Sequence, residues 1–337
     1  MLASSQIAFT SSGEPFDCPL PHRPKLPLRL SGTAGDAGFT FFMLDRAERV
    51  TRVVASPLPP RFLGIRLAAE SFLNMPEKIA GNIYDYPRYY DLIFGSDWKA
   101  EVDFFEACFA EYGSKRVERL FEPACGTGRL LYRLAKLGYE VAGLDLNPRA
   151  VTYCNRRLVK HGFPPSAIVG DMTAFQLPQT YHAAFNTINS FRHLATEKLA
   201  RQHLLCMAQA LAPGGIYLLG LHLTPTEGKP TEDEAWSARR GHLCVNTRMW
   251  LVERNLKQRK ELYAMTYDVF TPTSHLQIED RFYFRTYTQK QFKQLLATVP
   301  QLRLVAVHDF RYDIDHPIEI DARTEDVVLV LRREGHK

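Results

Sequence analysis

The chain has 337 residues, 45% apolar and 23% charged, and a net charge of +5. That length suits one large α/β domain with an insertion or two modest domains, and so weak a positive balance gives no electrostatic case for nucleic acid. No apolar run reaches the ~18–20 residues of a membrane-spanning helix, and the six cysteines form no C-x-x-C pair, which argues against a zinc knuckle or disulfide framework and for a reducing cytosol.

Residues 1–74 read differently from the rest. Pro15, Pro19, Pro21, Pro24, Pro27, Pro57, Pro59 and Pro60 interrupt any periodic element. There is no basic start with an unbroken apolar core, as a signal peptide needs, and acids too many for a transit peptide. The segment reads as a disordered or non-native N-terminal extension: either a tail, or residues preceding a true start at Met75. From Met75 to Lys337 strands and helices alternate. A helix is expected over Asp97–Tyr112, a strand over Val117–Phe121, and a helix over Arg129–Leu137 stopped by Gly138. Further strands are expected at Val141–Leu144, Ala167–Val169, Ala183–Ile188 and Ile216–Leu221, with helices over Pro148–Lys160 and Thr196–Leu211. Such alternation implies a Rossmann-like, doubly wound, mostly parallel sheet of seven strands. Between His222 and Thr286 the rhythm changes. Runs near Leu243–Val252, Leu262–Phe270 and Leu276–Arg285 alternate with a period of two, so residues 222–286 read as an antiparallel insertion after the fifth strand. Thr288 with Gln291 forms a capping box that opens a helix to about Val299, and strands at Leu302–Val307 and Val327–Leu331 close the domain.

The chemistry begins at Glu122-Pro123-Ala124-Cys125-Gly126-Thr127-Gly128, between a strand and a helix. Glycines there let a ligand approach the backbone near a helix N-terminus, although they can equally serve the turn alone. Asp145 follows the second strand, where a carboxylate can accept both hydroxyls of a ribose. Asp171 follows the third, where it and the next N–H could read an adenine edge. Three such features at successive strand ends point to an adenosyl cofactor. A dinucleotide fingerprint wants a third glycine where Leu131 stands. With no pyrophosphate to cradle, Glu122 suits an ammonium group instead.

EPACGTG, GLDLNP, GDM and the LAPGG turn together resemble class I S-adenosylmethionine-dependent methyltransferases. YYDLIF with the following DWKAE resembles the N-terminal lid of their small-molecule branch, such as amino-sugar N,N-dimethyltransferases. Asn189-Ser190-Phe191-Arg192-His193-Leu194 resembles that branch and the glycine N-methyltransferases, and the inserted strands have a counterpart in the sugar enzymes. The likeness spans about Tyr84 to Arg332. The chain departs from the pattern at Ala124, where glycine is frequent, and at His182, where an acid usually begins the fourth strand.

The resemblance implies S-adenosyl-L-methionine as cofactor. Glu122, Gly126 and Gly128 would hold its methionine part, Asp145 its ribose, and Asp171 with Met172 its adenine, with Ala124 and Leu146 also among the cofactor-binding residues. Tyr90, Asn189 and His193 would face the methyl group and acceptor as catalytic residues, His193 being the nearest group to take a proton. Each also has a structural reading: helix packing for Tyr90, turn formation for Asn189, a hydrogen-bonded core position for His193. No metal site is expected. The expected activity is transfer to a small molecule, an amine nitrogen favoured, in the cytoplasm, with no nucleic-acid or membrane partner and a possible homodimer through the β insertion. Two alternatives stay open: a nucleic-acid methyltransferase, although Asn189-Ser190-Phe191-Arg192 lacks the prolines of the base-amine enzymes, and a non-catalytic protein keeping the cofactor fold. Selectivity is assigned to the lid and the inserted sheet, with an arginine of that sheet available to an anionic substrate group.

Overall fold

The computed structural model describes residues 41–44, 50–53, 76–95, 98–114, 116–228, 230 and 232–335. Within the N-terminal segment it gives one antiparallel pair, β1 (Phe41–Leu44) with β2 (Val50–Val53). The reading of residues 1–74 as an extension otherwise falls outside the described residues.

The main body alternates as the sequence predicts. It runs β3 (Glu77–Ala80), α1 (Pro87–Phe94), α2 (Trp98–Tyr112), β4 (Arg119–Pro123), α3 (Leu131–Lys136), β5 (Glu140–Asp145) and α4 (Pro148–Lys160). Then come β6 (Ala167–Val169), β7 (Tyr181–Asn186), α5 (Glu197–Ala210) and β8 (Leu211–His222). Local chemistry sets the boundaries. Asn147 caps α4 by accepting from Arg149 N at 2.8 Å, with Pro148 supplying the helical φ behind it. Thr196 caps α5 through Leu199 N.

Seven strands form one sheet in the order β13 (Leu302–His308), β14 (Asp326–Arg333), β8, β7, β4, β5, β6. β14 runs antiparallel to β8, and β8, β7, β4, β5 and β6 are mutually parallel. Successive strand residues feed opposite cores. Leu120, Phe185 and Leu218 join Phe105, Leu131, Leu134 and Cys154 from α2, α3 and α4. Phe121, Ala184 and Leu219 join Leu204 and Met207 of α5 and Phe292 and Leu295 of α6 (Gln289–Ala297). The predicted capping box of Thr288 and Gln291 opens α6. Each fully buried Leu or Phe contributes about 1.5–3 kcal/mol.

The insertion is larger than expected. β9 (Asp233–Arg240) precedes β10 (Leu243–Asn255), β11 (Lys260–Phe270) and β12 (His275–Arg285), and β3 adds in parallel to β12, giving five strands ordered β3-β12-β11-β10-β9. β9 escapes sequence reading because it is an edge strand rich in charge, with Trp236 its one fully buried side chain. β3 escapes because its partner lies some two hundred residues away. Cys108, Cys125, Cys154 and Cys206 are free thiols. Cys244 is disulfide-bonded, which departs from the expectation of thiols throughout.

Candidate active site

β4 lies between β5 and β7, so the sheet reverses its winding at the end of β4, where α/β folds bind ligands. The loop leaving β4 turns through Ala124 (φ 52°), Gly126 (φ 51°) and Gly128 (φ 64°). The two glycines serve different ends. A Cβ at Gly128 would lie 2.3 Å from Cys154 Sγ, so Gly128 is required for packing on α4. A Cβ at Gly126 would meet only the Tyr90 ring, at 3.4 Å, on the side facing the lid. Where a dinucleotide fold has its third glycine, Leu131 is accommodated from below: Gly143 on β5 leaves room that its own Cβ would close to 2.7 Å of Leu131 Cδ1.

Glu122 is buried and its Oε2 has no hydrogen-bond partner. Burial pushes its carboxyl well above the ordinary range, opposed in part by the Arg129 charge. That guanidinium is itself committed to Glu101 of α2, whose Oε1 also accepts the Thr187 hydroxyl at 2.5 Å. The Asp145 carboxylate accepts Gly126 N and Asn147 N, each at 2.8 Å. Burial still raises its pKa despite those bonds. Leu146 is exposed beside it. Asp171 spends Oδ1 on Thr173 N and Oγ1, and the Met172 carbonyl meets His203 Nδ1 at 2.9 Å.

The lid closes over this edge. Tyr84, in a short turn at Ile83–Asp85, lies 5.4 Å ring to ring from Tyr90, and Tyr90 lies 4.7 Å from Phe94. Tyr84 Oη lies 3.2 Å from His193 Nε2. Burial holds the Tyr84 phenol protonated. Burial, helped by the Arg192 charge, pushes His193 down to about 4, so the imidazole is neutral at neutral pH. The His193 ring also packs, tilted, against Phe282 and Phe284 of β12, 5.6 and 4.8 Å away. Tyr90 lies against Gly126 of the glycine loop, and Tyr84, which the motif reading left unassigned, links it to His193. The signal for Tyr84 was its place just upstream of the YYDLIF lid motif, where the span of likeness begins. Asn189 stands apart: it adopts φ 52° and its Oδ1 accepts His222 N at 2.8 Å, a turn and strand-tethering geometry. His182 accepts Glu118 N and Arg119 N at the strand base, away from the site.

The inserted sheet packs on the lid through Ile83, Leu92, Ile93, Tyr263, Tyr267 and Phe284. The arginine expectation is not met. Alternation along the strands turns Arg248 to solvent, where it pairs with Asp233; Arg281 is exposed, and Arg285 binds Glu197 and the Ala195 carbonyl.

Residues 121–215 match the methyltransferase domain family. This chain carries a methyltransferase domain. Over 140 residues it is 29% identical to the dTDP-3-amino-3,4,6-trideoxy-alpha-D-glucopyranose N,N-dimethyltransferase of Streptomyces venezuelae, covering 40% of this chain and 56% of that protein. The chain therefore spans little more than half the length of that relative. It is 21% identical over 211 residues to the putative methyltransferase YqeM of Bacillus subtilis, covering 62% and 81% of the two chains. Among solved structures, an S-adenosylmethionine-dependent methyltransferase from Clostridium acetobutylicum superposes with a TM-score of 0.62 at 15% identity, covering 75% of this chain and all of its own. DesVI of Streptomyces venezuelae gives 0.61 at 19% identity, covering 74% and 98%. At such identities the superpositions establish the Rossmann-like fold of the methyltransferase domain and its insertion. Among the described residues no helix is long and apolar enough to cross a membrane.

Proposed function

We propose that this chain transfers a methyl group from S-adenosyl-L-methionine to a small-molecule amine, an amino sugar being the acceptor class suggested by the Streptomyces venezuelae relative. The observation that carries the reading is the buried Glu122 carboxyl with an unpartnered oxygen, beside a glycine turn that Tyr90 of the lid covers, with Tyr84 of the lid meeting His193. An ammonium group would satisfy that oxygen, where phosphate would be repelled.

Glu122 and the Ala124–Gly128 backbone would hold the methionine part. Asp145 retains lone pairs for two ribose hydroxyls beyond its backbone bonds. Leu146 offers an apolar face to adenine, and Asp171 keeps an oxygen free of its turn for the adenine edge, next to Met172. The bound donor supplies an already activated methyl group, so the chain's task is alignment, which can be worth up to ~7–11 kcal/mol. Tyr90, over Gly126, places an aromatic face near the sulfonium. Tyr84 and neutral His193 orient the acceptor: the phenol donates to Nε2 when Nδ1 carries the ring proton, and its oxygen accepts from an incoming N–H. At about pKa 4 His193 acts by hydrogen bonding and holds a proton only weakly. A homodimer through the outer face of the inserted sheet, where Val252 and Tyr283 are exposed, completes the reading; sedimentation tests it.

Native mass spectrometry and calorimetry with S-adenosylmethionine, S-adenosylhomocysteine and a nicotinamide dinucleotide test the donor site. Binding of the first two alone is the expected result. Labelled-donor assays on amino sugars and on RNA and DNA then decide the acceptor, and label in nucleic acid alone would replace this reading.

A further inference from the structure

Asp280 stands on β12 between Ile278 and Phe282, on the face of the inserted sheet turned to the lid. Its Oδ2 accepts the N–H of Ile83, the residue before Tyr84, over a long 3.4 Å. The Arg281 backbone N–H also bonds it, but no arginine, lysine or histidine side chain among the described residues pairs with it, and the charge acting on it is that of another acid, Asp85. The surrounding surface is apolar and aromatic: Met265 is its cross-strand neighbour, and Tyr263, Tyr267, Phe282 and Phe284 share the face. That face holds a second polar group without a partner, the buried Thr247 Oγ1. Glu122 and Asp145 of the donor site likewise hold no guanidinium, whereas three more deeply buried acids outside it do. Glu101, Asp91 and Glu261 each hold one or two guanidinium groups.

A carboxylate partly withdrawn from water into apolar surroundings is costly without a countercharge. The described residues provide none, and the proposed reaction does. The acceptor nitrogen's lone pair forms the new N–C bond while the C–S bond breaks with its electron pair staying on sulfur. Positive charge therefore leaves sulfur, which becomes a neutral thioether, and arrives on nitrogen, whose extra proton later goes to solvent. An acid on the acceptor side interacts more strongly as this charge develops, which is the condition for lowering a barrier. A hydroxyl acceptor sheds its proton and ends neutral, so it would gain far less.

We infer that Asp280 is the countercharge for the acceptor nitrogen, a specificity residue that selects an amine over the matching alcohol. This rests on the reading of the site as a methyl-transfer site. The test uses the full chain loaded with S-adenosylhomocysteine, and two probes: the dTDP-linked 3-amino sugar on which the Streptomyces venezuelae relative is named, and its 3-hydroxy counterpart. Calorimetry should show the amine bound at least tenfold tighter. Asp280→Asn, which keeps an oxygen for Ile83 N, should lose at least tenfold for the amine only. Asp280→Glu should recover most of it, and S-adenosylhomocysteine affinity should stay within about twofold in both variants. With labelled donor, Asp280→Asn should also lower kcat for the amine. Equal binding of amine and alcohol, or an unchanged Asn variant, overturns the inference and leaves the donor site standing. Failure of the wild-type chain to bind S-adenosylhomocysteine overturns the methyltransferase reading, and binding of neither sugar overturns the amino-sugar assignment together with this inference.

Discussion

Glu122 and Asp145 sit at the ends of adjacent strands under opposite conditions. Both Asp145 oxygens already take a backbone N–H, so the residue fixes the glycine loop before any ligand arrives. Asp145→Ala should remove charge-assisted bonds worth ~1.5–3 kcal/mol and lower donor affinity by about one to two decades by calorimetry. Glu122 has an empty oxygen and a folded-state pKa above the ordinary 4.5, chiefly from burial. Folding therefore takes up a proton between those two values, and stability falls as pH rises through that window. An arriving ammonium reverses the balance by favouring the carboxylate. Donor binding should thus release a proton near the raised pKa, seen as a binding heat that depends on the buffer's ionisation enthalpy. Glu122→Gln should abolish that dependence.

At the scale of elements, one side chain of the lid helix α1 makes polar ties to three other parts of the fold. Asp91 is buried and accepts Arg157 at 2.5 Å and Arg240 at 3.2 Å, with the Thr127 hydroxyl at 3.3 Å. These contacts join the lid to α4, to β9 and to the glycine loop. Burial alone would raise the Asp91 pKa, but the bonds and charge of Arg157, then Arg240, bring it below the ordinary 3.8. Asp91→Ala strands a mostly buried Arg157 and should cost about 3–5 kcal/mol in urea unfolding; the exposed Arg240 adds little. A lowered acid contributes stability that is present above its unfolded pKa and lost as pH falls through its folded one. The gap between wild type and variant should therefore be full at neutral pH and narrow below 3.8. The variant's lid should also be cut sooner by protease near Gly95.

Across the whole molecule, the donor loop lies between cores: Cys125 belongs to one core of the seven-stranded sheet, Phe121 just before it to the other, and Tyr90, packed on the core under the inserted sheet, touches Gly126. A ligand held there touches β4, β5, the lid and, through it, the insertion. At S-adenosylhomocysteine concentrations of 100 Kd the native state gains about 2.7 kcal/mol by mass action. For a domain of this size that should raise Tm by roughly 5–10 °C. A scanning-fluorimetry shift near zero at saturating ligand would remove the donor site from this edge.

The amino-acid sequence determined the parallel sheet, its order of elements and the positions of Glu122, Gly126, Asp145 and Asp171, because buried strands, amphipathic helices and strand-to-helix turns all write short-range patterns. The span Pro148–Lys160, the strand Ala167–Val169 and the Thr288 cap were legible residue by residue for that reason. Contacts between distant segments left no such mark. β3 joins β12 across the insertion, Tyr84 meets His193 over 109 positions, and Asp280 reaches the lid over 197. Which face of an alternating strand turns inward is likewise undecided by the alternation itself, since both faces of β12 carry aromatic residues. Packing on the lid decided it, placing Phe282, Phe284 and Asp280 toward the site and Arg281 and Tyr283 toward solvent.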